Sequence, residues 1–146
     1  MGETIKHKSL IISNDIQELN RVVPFLEELQ EEWDIPAGLI SPINLALEEA
    51  LSNIIFYGID SQSQDEITLE FHSEPGALTI ILIDEGKPYD PTLRSEPDLE
   101  LPAEIRPIGG LGIFLIRKMM DEVSYERINL QNRLTLVKKW DTSKNQ

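Results

Sequence analysis

Cysteine is absent from the 146-residue chain. Its absence excludes disulfide scaffolds, thiolate zinc sites and cysteine nucleophiles, and it fits a reducing compartment. We therefore expect any site chemistry in this protein to use oxygen ligands.

Basic residues are scarce, with 13 Lys and Arg against 26 Asp and Glu, which gives a formal net charge of -13. This charge repels nucleic acid and anionic membrane, so we expect neither as a partner. A nucleotide can still bind locally, because backbone amides of a glycine-rich loop and Mg²⁺ hold phosphate without an excess of lysine.

Long apolar runs are also lacking, since no segment approaches the roughly 20 residues that cross a bilayer. The first residues, MGETIKHKSLIIS, lack a charged leader followed by a long apolar stretch. These absences predict a cytoplasmic protein. The length fits one core, so residues 1–146 are predicted to form a single domain.

Apolar residues at three- and four-residue spacing predict an amphipathic helix from Ile16 to about Trp33, with Asn14 or Asp15 as its N-cap and a kink at Pro24. The Ser41-Pro42 pair predicts the start of a second helix that runs to about Tyr57. A third, apolar nearly all round, is predicted to open at the glycines around 109–112 and to end near residue 121.

Strands are predicted within 4–13, at 66–72 and 77–83 around a turn at 74–76, and at about 122–129 and 133–140 around a turn at Gln131-Asn132. Residues 91–108 contain four prolines and several acids, which predicts a long surface loop. This order of elements predicts an α+β two-layer sandwich, a mixed β-sheet with helices on one face.

Two polar residues of the second helix, Glu49 and Asn53, lie four positions apart and so share one flank of its apolar stripe. Glu48 projects from the opposite flank. A carboxylate beside a carboxamide can orient a nucleophile while the amide oxygen binds Mg²⁺. The alternative, which is common for such a pair, is a solvated helix flank.

Asp84 ends an apolar strand just before Glu85-Gly86, so its carboxylate can accept a hydrogen bond from a purine amino group. The glycines of GGLG at 109–112 supply unhindered amides at a helix N-terminus, an arrangement that binds phosphate. A strand-ending turn and a simple helix-entry turn are the respective alternatives.

The sequence lacks the motifs of two other nucleotide-binding classes and a histidine pair at metal-ligand spacing. The chain contains neither a Walker G-x-x-x-x-G-K-[ST] element nor the H-R-D element of protein kinases, which excludes a P-loop fold. His7 and His72 have no second histidine at ligand spacing in the sequence, so no role is predicted for them.

Four segments, EALSN (49–53), DEGKPYD (84–90), GGLGIFL (109–115) and NRLTL (132–136), occur in the order of the N, G1, G2 and G3 boxes of the GHKL ATPases. The chain thus resembles the Bergerat ATP-binding fold, and within it the anti-sigma-factor serine/threonine kinases of bacterial partner-switching systems. The resemblance covers most of the chain, from the first helix onward.

The resemblance implies a role for each matched residue. By this resemblance Glu49 is the general base and Asn53 is the Mg²⁺ ligand. Asp84 is the residue that recognises adenine, with Gly86 beside it. The resemblance makes Gly110 and Gly112 the phosphate loop, Thr135 a support for adenine recognition, and residues 91–108 the lid over ATP. Arg21 resembles an arginine used at the partner surface.

The implied function is transfer of the γ-phosphoryl group of Mg-ATP to a serine of a STAS-domain anti-sigma factor antagonist, by a kinase that is a homodimer and also binds a sigma factor. A second reading is a non-catalytic ATP-binding module whose nucleotide state controls partner docking. A third, the catalytic domain of a histidine kinase, needs a dimerisation helix pair with a phosphoacceptor histidine, and His7 is predicted on no such helix.

Overall fold

A computed structural model of the protein describes residues 6–58, 66–93 and 110–142. These residues form five strands and three α-helices, in the order β1 (Lys6–Ser13), α1 (Val22–Trp33), α2 (Ile40–Asn53), β2 (Glu66–Glu74), β3 (Ala77–Asp84), α3 (Gly110–Met119), β4 (Glu122–Ile128) and β5 (Gln131–Lys139). Short 3-10 helices span Ile16–Arg21, Ala37–Leu39 and Pro91–Leu93, and a π-helical turn spans Ile54–Gly58.

The strands form one sheet in the order β1-β2-β3-β5-β4. Buried side chains alternate along β2 and β5 and join those of all three helices in one core cluster, which confirms the two-layer sandwich. The sheet itself is not mixed, because every pairing among the described strands is antiparallel. Element order could not decide this, since the long connection through α3 permits either direction for β4.

The first helix begins later than its periodicity predicts. Residues 16–21 form a 3-10 helix, and the Asp15 side chain accepts a hydrogen bond from the Gln17 amide at 2.9 Å. The α-helix starts only at Val22, which places Pro24 in its first turn. A first-turn proline removes no hydrogen bond that the helix needs, so Pro24 gives no reason for the predicted kink.

The second helix also differs at its start, since α2 begins at Ile40 directly after a 3-10 turn and Ser41 lies inside it rather than at its N-cap. By length and mean composition the helical stretch Ala37–Phe56 could cross a membrane, although Glu48 and Glu49 interrupt its apolar residues. Its Ile43, Leu47 and Leu51 are fully buried in the core.

Two tight turns fix the hairpins. Pro75 and Gly76 join β2 to β3 where predicted, and Gly76 has a φ of 80°. The β4–β5 turn lies at Asn129 and Leu130, with φ of 50° and 66°, and not at Gln131-Asn132. Asn132 therefore belongs to β5, where its side chain is buried on the helix side of the sheet.

Candidate functional site

A cavity opens between the end of α2, the end of β3 and the β4–β5 hairpin. Its lining in the described part of the chain is formed by Ala50, Asn53, Ile54, Asp84, Tyr89, Pro91, Tyr125, Asn132 and Leu134. The fold thus brings together Asn53 and Asp84, which the sequence placed on separate elements.

Asp84 is the last residue of β3 and is 3% exposed. Its Oδ1 accepts hydrogen bonds from the Gly86 amide at 2.9 Å and from Asn132 Nδ2 at 3.0 Å. The first bond folds the chain back just after the strand, and the second comes from the residue opposite Asp84 in the ladder. Both hold the carboxylate in one orientation at the cavity wall.

Asn132 connects this carboxylate to the loop that follows β3. Its Nδ2 also donates to the Lys87 carbonyl at 2.9 Å, and its Oδ1 accepts from the Tyr89 amide at 3.4 Å and from the Tyr125 hydroxyl in a short hydrogen bond. Arg127 Nη1 donates to the Gly86 carbonyl at 2.7 Å. The cavity wall is therefore organised before any ligand arrives.

Asn53 ends α2 and is 6% exposed, yet its Nδ2 has no hydrogen-bond partner among the described residues. Leaving a buried polar group unsatisfied costs about 1–3 kcal/mol, so this amide is suited to a ligand in the cavity. Rotation of the amide by half a turn exchanges its nitrogen and oxygen, and so either a donor or a metal-binding oxygen can face the cavity.

Glu49 lies one helical turn before Asn53 and is half-buried. It is not among the described lining residues, but its position on α2 places it beside Asn53 on the helix surface. Glu48 is exposed and accepts a hydrogen bond from Asn44 Nδ2 at 3.2 Å. The two neighbouring acids therefore have different surroundings, as their helical positions predict.

The predicted phosphate loop lies only partly within the described residues. Gly110 and Gly112 occupy the first turn of α3, which packs against α2, while Gly109 lies outside the described residues. Of the predicted lid at 91–108, residues 91–93 form a 3-10 helix whose Pro91 lines the cavity, and 94–108 lie outside the described residues. Arg117 of α3 donates to the Thr92 carbonyl at 2.7 Å.

Thr135 is not brought together with the other predicted residues. It alternates with the buried Leu134 and Leu136 along β5, and so its side chain lies on the opposite face of the sheet from the cavity. The prediction that Thr135 supports a ligand beside Asp84 does not fit this placement. Asn132, on the inner face, occupies that position instead.

Sequence reasoning missed Asn132, Tyr125 and Arg127 as site residues. The signal for Asn132 was present, because Leu134 and Leu136 already define the inward positions of β5 and Asn132 continues their alternation. Placing the turn two residues too late assigned Asn132 to a loop and removed it from that pattern.

The sequence of the chain is similar to a known domain family and to two protein kinases. A family model described as "Histidine kinase-like ATPase domain" matches residues 12–138. The serine/threonine-protein kinase BtrW of Bordetella bronchiseptica is 31% identical over 108 residues, covering 74% of this chain and 75% of BtrW. The serine-protein kinase RsbW of Listeria innocua is 32% identical over 88 residues, covering 58% of this chain and 56% of RsbW, so the match spans about half the length of that relative.

Among solved structures, the RsbU and RsbW domains of a Mycobacterium tuberculosis protein superpose with a TM-score of 0.62 at 17% identity, covering 90% of this chain and 32% of that one. This likeness shows a shared fold. The family model matches most of the chain as well. The protein therefore belongs to the histidine kinase-like ATPase domain family.

Proposed function

We propose that the protein is a Mg-ATP-dependent serine/threonine kinase that phosphorylates a serine of a STAS-domain anti-sigma factor antagonist. The observation that carries the ATP site is the pairing, in one cavity, of a fixed buried carboxylate with a buried amide that lacks a partner. The kinase relatives supply the support for serine as the acceptor.

In this proposal the Asp84 carboxylate accepts a hydrogen bond from the adenine amino group. Gly86 and Asn132 hold this carboxylate at the cavity wall. Gly110 and Gly112 offer backbone amides of the first turn of α3 to the phosphates. The donor set near the end of α2 fits Mg²⁺, a hard ion that prefers oxygen, with Asn53 as its protein ligand. The bound ion would offset negative charge on the phosphates.

The transfer step uses Glu49. The acceptor serine oxygen forms a bond to the γ-phosphorus while the bond from that phosphorus to the ADP oxygen breaks, and the serine proton passes to the Glu49 carboxylate. A half-buried carboxylate beside the proposed Mg²⁺ ligand suits this role better than Glu48, which is exposed and bonded to Asn44.

Thermal unfolding with and without Mg-ATP tests the nucleotide site. Ligand at about 100 times its dissociation constant adds about 2.7 kcal/mol, which raises the Tm of a domain of this size by several degrees. We expect a Mg²⁺-dependent shift in the native chain and its loss in Asn53→Ala. An equal shift in both proteins would contradict the role of Asn53.

Phosphotransfer to a purified STAS-domain protein tests the reaction. We expect one phosphoserine on the acceptor, with the rate reduced at least about a hundredfold in Glu49→Gln and unchanged in the matched control Glu48→Gln. ATP binding without any phosphoserine would instead favour the second function, an ATP-binding module that controls partner docking.

The remaining partners follow from the same proposal. A sigma factor would compete with the unphosphorylated antagonist for the kinase, and the kinase would be a homodimer. Light scattering of the purified chain gives the oligomeric state, and displacement of a labelled antagonist by sigma factor tests the competition. A monomer, or simultaneous binding of both proteins, would contradict these two points.

A further inference from the structure

Three side chains of metal-binding type meet on the outer face of β1 and β2, opposite the helices. His7 and His72 are direct partners in the strand register, and their ring centroids lie 4.6 Å apart. Glu70 precedes His72 by two residues, and its Oε1 lies 3.6 Å from His72 Nε2. One ligand atom from each residue falls within 4.8 Å of the other two.

Strand pairing creates this cluster from residues that are distant in sequence. Residues two apart on a strand point to the same face, and the residue directly opposite on an antiparallel neighbour joins them there. The absence of a second histidine at short spacing therefore did not exclude a shared site, although the sequence predicted no role for either histidine.

We propose that His7, Glu70 and His72 bind a divalent transition cation of the Zn²⁺ type, which fastens the edge strand β1 to β2. Two imidazoles and one carboxylate form a donor set that suits Zn²⁺, with water in the fourth position. The two imidazole nitrogens distinguish this site from the proposed Mg²⁺ site near Asn53, because Mg²⁺ prefers oxygen ligands.

The geometry permits closure around a cation. Ligand atoms of a tetrahedral zinc site lie about 3.3–3.5 Å apart, so the present ligand atoms, which lie within 4.8 Å of one another, must approach by up to about 1.5 Å. The side chains of His72 and Glu70 are 34% and 29% exposed, and this exposure leaves them room to rotate. Because all three residues lie at the outward positions of β1 and β2, substitutions here leave the core intact.

The neighbouring residues do not oppose a cation. Along the ladder, Ser9 lies opposite Glu70 and Thr79 lies opposite His72, and both are neutral. Lys8, the residue after His7, is directed to the helix side of the sheet, where its Nζ lies 2.7 Å from Glu32 of α1.

Calorimetric titration of the full chain with Zn²⁺, without nucleotide and without a polyhistidine tag, tests this site. We expect one saturable site per chain, weakened at least about tenfold in His7→Ala and in His72→Ala. Glu66→Gln removes an acid from the same strand and should leave the affinity unchanged. Asn53→Ala should also leave it unchanged, which separates this result from the outcome for the ATP site.

Thermal unfolding provides a second measurement. Zn²⁺ should raise the Tm of the native chain by several degrees, Mg²⁺ should not, and both histidine variants should lose the shift. No saturable binding of Zn²⁺, or equal affinity in the native chain and both histidine variants, would overturn the proposal.

Discussion

Asn132 forms four hydrogen bonds around the cavity, although the sequence did not identify it as a site residue. Its carboxamide bonds to Asp84 and to the Lys87 carbonyl through Nδ2, and it accepts from the Tyr125 hydroxyl and the Tyr89 amide through Oδ1. Asp84 is buried and both tyrosines are partly buried, and so removing the amide breaks four hydrogen bonds, most of them in a place that water reaches poorly.

Asn132→Ala should therefore lower the free energy of unfolding by about 2–4 kcal/mol, measured by urea denaturation. It should also weaken ATP binding at least about tenfold, since Asp84 loses one of the two donors that hold its carboxylate in place. The control is Thr135→Val, three residues along the same strand but on the other face.

Thr135→Val should leave ATP affinity within about twofold of the native value, because the hydroxyl points away from the cavity. Isothermal titration of both variants compares the two residues directly. A strong loss of affinity in Thr135→Val with none in Asn132→Ala would restore the role that the resemblance implies for Thr135 and would contradict the placement described above.

Sequence reasoning at this scale succeeded where a residue's local setting determines its position. Asp84 ends an apolar strand and Asn53 lies on a flank of the second helix, as predicted, and both line the cavity. The α-helix itself ends at Asn53 and not near Tyr57. Sequence reasoning failed where position depends on pairing between distant segments. The register of β3 against β5 places Asn132 opposite Asp84, and that of β1 against β2 places His7 opposite His72.

At the scale of elements, the β2–β3 hairpin depends on Gly76. Its φ of 80° is strained for residues with a side chain, and a Cβ there would lie 3.1 Å from the Trp140 carbonyl oxygen. That carbonyl belongs to the residue whose amide donates to the Gly76 carbonyl at 2.9 Å, so this turn also anchors the end of β5.

Gly76→Ala should lower the free energy of unfolding by about 1–2 kcal/mol, from the left-handed φ and the close contact together. Gly38→Ala is the matched control, because a Cβ there meets nothing within 4 Å and its φ lies outside the left-handed region. That variant should be neutral or more stable by about 0.5 kcal/mol. Equal urea midpoints for the two variants would contradict the argument.

The connection from β1 to the first helix has an acid-sensitive contact. Glu18 Oε1 accepts from the Ser13 amide at 3.0 Å and from Arg21 Nη1 at 3.0 Å, and Arg21 also donates to the Ile11 carbonyl at 2.9 Å. The Ser13 amide first, and then Arg21, lower the pKa of Glu18 below its usual 4.5. Arg21 thus has a structural role here beside the partner contact that the resemblance implies.

Because the folded state lowers this pKa, the stability that Glu18 contributes is present above the unfolded pKa and is lost as the pH falls through the folded one. Glu18→Gln should therefore reduce the urea midpoint at about pH 6 more than at about pH 3.5. Glu31→Gln, an exposed acid on α1, changes the charge equally and should lack this difference. A pH-independent effect of Glu18→Gln would contradict the assignment.

The presence of each helix and strand was easier to predict than the residues at which it begins and ends. The β2–β3 hairpin followed from Pro75-Gly76, whose backbone preferences match the turn they form. The β4–β5 turn uses Asn129 and Leu130, and leucine at positive φ gives no turn signal in sequence. Residues 16–21 share the apolar spacing of α1 but form a 3-10 helix, a distinction that spacing alone does not make.

At the scale of the whole molecule, charge determines how the fold responds to salt. A net charge of -13 on 146 residues produces self-repulsion that unfolding relieves. Exposed ion pairs such as Lys8–Glu32 and Lys139–Glu122 add little stability to offset this repulsion. Screening of the charges by salt should therefore raise the free energy of unfolding.

Raising NaCl from about 20 mM to about 500 mM should increase the Tm by a few degrees, because the Debye length falls from about 20 Å to about 4 Å. Choline chloride should act alike, since the effect depends on ionic strength, whereas Zn²⁺ should act at far lower concentration and only with His7 and His72 present. A fall in Tm with salt would show that attractive ion pairs outweigh the repulsion, and that the acidic residues lie closer to basic partners than the net charge indicates.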